Sequence, residues 1–218
     1  SHEEILNKFK NENIDILIGT QMVVKGHHFP NVTLVGVIAA DSSLNIDDYR
    51  ANERTFQILT QVAGRAGREN LPGKVIIQTY NPQSFAIQCS REQNYEKFYE
   101  TEIALRKQLK YPPFCDIILI GFNSYNENEI KKVSNQMYEE LQKELSVLKN
   151  SQENEIVQND QNAIKLFKPM PCPIDKIQNR YRWRIIIKGN MTEEINRILN
   201  DSLKNIYKQN IKDTRIAI

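Results

Sequence analysis

The segment Tyr111-Pro112-Pro113 limits what this chain can fold into more than any other stretch of it. Proline has no amide hydrogen and holds the residue before it in extended conformations, so two in succession end any helix that reaches them. A chain of 218 residues is long enough for two small domains, each with a core of its own. The proline pair is the expected boundary between them.

Before that boundary, apolar runs and helical patterns alternate. A short helix is expected over 2–10, apolar runs over Ile14–Thr20 and Val32–Ala40, a helix over 49–68, and a further strand over Lys74–Tyr80 after the turn Pro72-Gly73. Because neither of the first two runs alternates cleanly, they predict strands buried on both faces, as in a parallel sheet covered by helices. Residues 84–109 read as connecting helices with Phe98, Ile103 and Leu105 on partial apolar faces. The first part is therefore α/β.

Beyond the boundary the pattern predicts a strand (Cys115–Asn123), an amphipathic helix (Glu127–Lys149) and a polar, acidic loop (Asn150–Gln161) whose composition suits a mobile connection. Strands near Lys165–Pro169 and Tyr181–Gly189, a helix over Thr192–Gln209 and a last strand over Thr214–Ile218 complete the order βαββαβ, the ferredoxin-like arrangement.

Charge is distributed unevenly. The net charge is +2, yet residues 1–108 carry 12 basic and 13 acidic side chains while residues 109–218 carry 17 and 14. Between Lys165 and Lys188 stand seven basic residues (Lys165, Lys168, Lys176, Arg180, Arg182, Arg184, Lys188) against one acid, Asp175. Such a stretch attracts phosphate. Phe167, Tyr181 and Trp183 are interleaved with it, able to stack on unpaired bases or to pack in a core. On a strand, Tyr181, Trp183, Ile185 and Ile187 share one side and Arg182, Arg184 and Lys188 the other. The aromatic side is the expected core and the arginine side the expected DNA surface, although a solvated sheet face is nearly as good a reading of the charges alone.

Several classes are disfavoured. Cys89, Cys115 and Cys172 are far apart and form no Cys-x-x-Cys pair, so reduced thiols are expected rather than disulfides or a structural zinc site. His27 and His28 lack an obvious metal-ligand partner and read as loop or packing histidines. No apolar run is long enough to span a bilayer, and Ser1-His2-Glu3-Glu4 has neither the basic nor the apolar region of a signal peptide. A soluble, cytoplasmic protein with no membrane partner is expected.

The most informative motif is Gln61-Val-Ala-Gly64-Arg65-Ala-Gly67-Arg68. On a helix, positions 61, 65 and 68 share one face, so two guanidinium groups and an amide point the same way. Arginine presents a planar fork of donors that suits phosphate oxygens. Glycine within a helix costs roughly 1 kcal/mol relative to alanine, so Gly64 and Gly67 suggest a close backbone approach to a neighbour. The bland alternative is a solvated basic helix face.

This motif resembles the last signature motif of superfamily 2 helicases. The resemblance implies that Arg65 and Arg68 act as arginine fingers on ATP held by another lobe, with Gln61 beside them. Upstream, Gly19-Thr20-Gln21-Met22-Val-Val-Lys25-Gly26-His27-His28-Phe29-Pro30 resembles the motif that couples nucleotide to DNA, implying that role for Thr20, Lys25 and Gly26. With Asp41 and the run Asp48-Tyr49-Arg50-Ala51-Asn52-Glu53-Arg54, the stretch is similar to the primosomal protein N′ (PriA) family of replication-restart helicases. His28 stands where many relatives carry aspartate, so no ribose-binding role is carried over to it. Tyr111-Pro-Pro-Phe114, Lys168-Pro-Met-Pro-Cys-Pro173 and Arg180-Tyr-Arg-Trp-Arg184 resemble that family's C-terminal domain, with the proline-rich segment expected as a rigid extended loop beside the basic strand.

The resemblance implies a partial RecA-like helicase lobe 2 over 1–90, connecting helices over 91–110, and a small α+β, ribosomal-protein-like DNA-binding domain over 111–218. It implies an ATP-dependent 3′-to-5′ helicase of stalled or branched forks, using ATP and Mg, with zinc bound by upstream cysteines, and acting in the bacterial nucleoid. Branched and single-stranded DNA, single-strand-binding protein and primosome loader proteins are the implied partners. Lys168, Arg180, Arg182, Arg184 and Lys188 are the expected DNA contacts. No Gly-x-x-x-x-Gly-Lys-[Ser/Thr] and no Asp-Glu-x-His box occurs in the chain, so by itself it is expected to hydrolyse no ATP and to need no cofactor. The truncated lobe is expected to leave a sheet edge exposed or paired with another copy. Two other readings are an ATP-independent nucleic-acid or protein-docking module and a different superfamily 2 translocase.

Overall fold

The computed structural model describes residues 2–12, 14–20, 29, 32–64, 73–152, 164–209 and 211–218. It divides into two compact units, residues 1–105 and 106–218.

In the first unit, α1 (His2–Asn11) is followed by the extended segment 14–20, then β1 (Leu34–Val37), α2 (Asp41–Leu44), α3 (Ala51–Ala63), β2 (Lys74–Ile77), α4 (Phe85–Glu92) and the start of α5 (Tyr95–Leu109). β1 and β2 pair in parallel, with Val35 opposite Val75 and Val37 opposite Ile77. Parallel strands need a crossover connection, and the helices between them supply it. Val37 and Ile77 pack on a core of Ala40, Leu59 and Ile87; Phe56, Ala86, Cys89 and Phe98 form a second cluster, in which the rings of Phe56 and Phe98 stack at 4.3 Å.

Two expectations for this unit fail. Ile14–Thr20 forms no strand, and Ile16 and Ile18 are strongly exposed. A strand is defined by its ladder partner, which an apolar run cannot specify. Nor are β1 and β2 buried on both faces: alternate residues of each are exposed, because the described helices cover one side of the pair only. The uncovered side carries Leu34 and Ile76, each about half exposed.

The second unit contains β3 (Asp116–Ser124), α6 (Glu127–Gln152), β4 (Lys165–Leu166), β5 (Met170–Ile177), β6 (Arg180–Gly189), α7 (Glu193–Tyr207) and β7 (Arg215–Ala217). Its antiparallel sheet has the order β4-β6-β3-β7, with β5 also paired to β6. Since β4 and β5 line the same edge of β6 in succession, this is the predicted βαββαβ arrangement with its second strand interrupted. The proline-rich segment is a correction: Met170–Ile177 is a strand, not a loop. Proline is tolerated in it because the strand lies at a sheet edge, and its register with β6 shifts between Pro171 and Lys176. The acidic loop expected over Asn150–Gln161 lies largely outside the described residues, α6 extending to Gln152.

Both helices of this unit cover one face of the sheet. Ile120, Phe122, Ile185 and Ile187 meet Ile130, Met137 and Leu141 of α6 and Ile195, Leu199 and Ile206 of α7, all buried. Asn126 caps α6, its side-chain oxygen accepting from the amides of Asn128 and Glu129 at 2.9 and 3.1 Å. Asp213, just before β7, accepts from the Ser124 hydroxyl at 3.1 Å and from the Tyr125 amide, and Glu129 accepts from the Lys212 amide at 2.8 Å. These bonds tie the entry of β7 to the β3–α6 junction. Thr192 caps α7, accepting from the Ile195 amide.

Candidate nucleic-acid interface

Because the helices cover one sheet face, the side chains of alternate residues on the other face point away from them. On β6 the core face carries Tyr181, Trp183, Ile185 and Ile187; both isoleucines are fully buried and both aromatics pack against the core. The predicted division of this strand therefore holds. Arg180, Arg182, Arg184, Ile186 and Lys188 occupy the other face.

The neighbouring strands extend this cationic surface. Lys165 of β4 stands opposite Lys188, and Gly121 and Asn123 of β3 stand opposite Arg184 and Arg182. Beyond β3, Arg215 of β7 lies opposite Asn123 and Ala217 opposite Gly121. The resulting face carries Lys165, Arg180, Arg182, Arg184, Lys188 and Arg215. By strand alternation β3, β4, β6 and β7 contribute no carboxylate to it. Arg215 stands 31 residues beyond Arg184, outside the basic stretch, so no local pattern along the chain links the two. Only the β3–β7 pairing brings the two together.

The cations are not equivalent. The Arg180 guanidinium lies 3.8 Å from the Tyr125 ring centroid and donates to Asn123 Oδ1 at 3.5 Å. Lys188 sits 4.1 Å from the Tyr111 ring centroid, and its Nζ donates to the Leu109 carbonyl at 2.9 Å. These two residues already hold parts of the fold together, Lys188 by fastening the Tyr111-Pro112-Pro113 segment to the sheet. Arg182 makes a longer bond, 3.4 Å, from Nη1 to the Ile174 carbonyl. Lys168, Lys165 and Arg215 are exposed.

In the first unit, Gln61 is exposed on α3, one turn from its end. The described part of the helix expected over 49–68 runs from Ala51 to Ala63, and Gly64 follows it at φ −70°, a backbone angle open to any residue. Among the described residues, a Cβ on Gly64 would meet only carbonyls of its own helix, at 3.7 Å. Arg65, Gly67 and Arg68 lie outside the described residues, as do Lys25, Gly26, His27 and His28. Thr20 is described and exposed, at the end of the extended segment.

The acidic residues around α3 have structural partners. Asp41 accepts from the Tyr80 amide at 2.9 Å, the Thr79 hydroxyl at 2.8 Å and the Asn81 amide at 3.2 Å; the Tyr80 bond contributes most to holding its carboxyl below the usual range. Asp48 accepts from Arg50 Nε at 3.1 Å and Nη2 at 3.0 Å and pairs with Arg54 at 3.1 Å; the Arg50 side chain is the main reason its carboxyl is also lowered. A carboxyl with a lowered folded-state value stabilises the fold above its ordinary value of about 3.9 and loses that contribution as the pH falls through the folded value. Asp48→Asn should therefore cost about 1 kcal/mol at pH 7. In urea melts across pH, the difference from the parent should fade below about pH 4.

No three His, Cys, Asp or Glu side chains come together to hold a metal among the described residues. The three cysteines are free thiols, Cys89 buried and pushed up mainly by that burial. No described helix is long and apolar enough to cross a membrane.

The chain thus joins a helix-covered parallel pair, of the α/β class, to a βαββαβ domain with a cationic open face. The helicase conserved C-terminal domain family matches residues 1–70, and the primosomal protein N C-terminal domain family matches residues 107–218. The chain belongs to the latter family, whose match covers more than half of it. It is 38% identical over its whole length to the replication restart protein PriA of Bacillus subtilis, of which it spans 25%. It is 40% identical over 86% of its length to the protein of that name from Synechocystis, spanning 21% of it, and 36% identical over 92% of its length to that of Borreliella burgdorferi, spanning 28%. The chain thus spans about a quarter of the length of these curated relatives.

Proposed function

We propose that this chain is the C-terminal part of an ATP-dependent 3′-to-5′ DNA helicase that recognises stalled or branched replication forks and starts primosome assembly. The functional division is a partial helicase lobe over 1–90, connecting helices over 91–110 and a DNA-binding domain over 111–218. In the intact protein Arg65 and Arg68 stabilise the charge that develops on the transferred phosphoryl group, with Gln61 beside them. Thr20, Lys25 and Gly26 relay nucleotide state to DNA. ATP with magnesium, and zinc on cysteines upstream of this segment, belong to the intact protein. Single-strand-binding protein and primosome loaders are its protein partners, and the bacterial nucleoid its place of work. Without a phosphate-cradling loop or a magnesium carboxylate of its own, this segment alone turns over no ATP.

The observation that carries the DNA-binding part of this reading is the alignment of Arg182 and Arg184 on the uncovered side of β6, where β3 and β7 present no acidic residue and β5 presents only Asp175, at its register shift opposite Arg182. Lys168, Arg180 and Lys188 complete the proposed contacts, the last two also serving the fold. A docking module independent of ATP is less favoured, because the helicase family matches residues 1–70.

Fluorescence anisotropy of this chain with a forked DNA, a matched duplex and a single strand, across a salt titration, tests the reading. Fork binding should weaken steeply with salt, and Arg182→Ala/Arg184→Ala should lower fork affinity roughly 30-fold at low salt. A folded chain that binds none of the three at low salt would overturn it.

A further inference from the structure

We infer that the open face around Gly121 and Ala217 is a trough for a single sugar-phosphate strand, with Arg182 and Arg184 on one side and Arg215 on the other. This inference rests on the DNA-binding reading above and specifies where and how the strand lies. Arg184, Gly121 and Ala217 stand in one cross-strand row, and Arg182, Asn123 and Arg215 in the next. Arg182 and Arg215 are therefore separated by two inter-strand spacings, roughly 10 Å. In the first row the floor is Gly121 and Ala217, with at most one methyl group per residue; in the second, the Asn123 amide stands between Arg182 and Arg215 and accepts from Arg180.

Gly121 is not required by the fold. It lies in a regular strand and has no positive φ, and a Cβ added to it would meet only the Ala217 carbonyl at 3.8 Å, an ordinary contact. Glycine weakens a strand interior, so its presence here goes against local stability. What it does is leave the sheet floor open, where a ligand backbone can approach closely.

The chemistry of the face selects the occupant. Six cations that meet no carboxylate on the open side of β3 or β7, and only Asp175 of β5 at the register shift beside Arg182, complement a polyanion. The open-face positions of β3, β6 and β7 include no aromatic residue, Tyr181 and Trp183 being turned to the core. The rings that reach the face from outside these strands, Tyr125 and Tyr111, lie against Arg180 and Lys188 at its ends. The floor between Arg182, Arg184 and Arg215 therefore offers bases no stacking platform, and the strand is held there by its phosphates, with little preference for sequence.

The test is anisotropy of the 218-residue chain with a 20-residue oligothymidine across a salt titration, beside Arg182→Ala/Arg184→Ala, Arg215→Ala and Gly121→Val. Arg215→Ala should weaken binding five- to tenfold and reduce the salt slope by about 0.7, the value for one lost single-strand phosphate contact. Gly121→Val should weaken binding about fivefold while its urea midpoint stays level or rises, since valine favours strands. A merely structural glycine would move stability and affinity downward together. Should Gly121→Val misfold, Arg215→Ala decides alone, because its exposed side chain is removable without opening the core. Absence of binding by the parent chain would sink the DNA-binding reading itself. Binding lost in the double arginine variant but unchanged in both Arg215→Ala and Gly121→Val would sink only the trough. Equal displacement of the oligonucleotide by polyglutamate of matched charge would mark a general polyanion surface and also overturn the inference.

Discussion

In the intact protein, Arg68→Ala is expected to lower the DNA-stimulated rate of ATP hydrolysis about a thousandfold, the loss that follows removal of an arginine finger. Phosphoryl transfer leaves a protein little covalent chemistry to perform. Most of its contribution is positioning and the neutralisation of charge on the equatorial oxygens. A guanidinium does this with two parallel donors and never loses its proton. Arg68→Lys should therefore recover little, because an ammonium offers a point charge without the planar fork. Arg65→Ala should show a loss of the same order. Gln61 provides the contrasting case: it is exposed on α3, so Gln61→Ala leaves the helix intact and should cost well under the arginine variants. Steady-state ATPase at saturating DNA, with nucleotide affinity measured separately, checks the set. A rate for Arg68→Ala within tenfold of the parent would remove the arginine from the transition state.

The second large effect concerns the core beneath the cationic sheet. Leu141 of α6 is fully buried among Ile120, Ile185 and Leu199 in the main cluster of the second unit. Leu141→Ala should destabilise that unit by about 3 to 4 kcal/mol, the sum of lost transfer energy and the cavity left behind. Alanine and leucine are both strong helix formers, so the measured loss reports packing rather than helix propensity. A loss of about 3 kcal/mol changes the folding constant by more than a hundredfold. Because Ile185 and Ile187 alternate with Arg184 and Lys188 along β6, loosening the core frees the register that aligns the cations. Urea unfolding followed by the fluorescence of Trp183, the single tryptophan, measures it. A loss below 1 kcal/mol would show that α6 settles onto the sheet without that side chain.

The second unit was legible because its signals are local and agree with one another. The alternation along residues 181–188 separates an apolar face from a cationic one whatever lies beside it, and the strand pairs accordingly. The long helix and α7 follow from apolar spacing, and the caps at Asn126 and Thr192 fix where they begin. The strand Met170–Ile177 was missed because three prolines within five residues argue against pairing. At a sheet edge that argument weakens, since such a strand needs only one ladder. In the first unit, the helix beginning at Ala51 was visible from its apolar face.

The candidate site divides in the same way. The pattern of residues alone determined that Arg182 and Arg184 share a side opposite Trp183 and Ile185, because side-chain alternation is a property of any strand. It also pointed to the family to which the C-terminal motifs belong. Only the tertiary structure decided that both helices lie on one face and leave the other open. It also decided that Arg180 and Lys188 are held by Tyr125 and Tyr111, and that Arg215 joins the cations across Gly121. The reason is physical: hydrophobic period and chain stiffness act over a few residues and can be read along the chain. Which strand lies beside which is settled by burying a shared core, and that brings together residues the sequence keeps far apart.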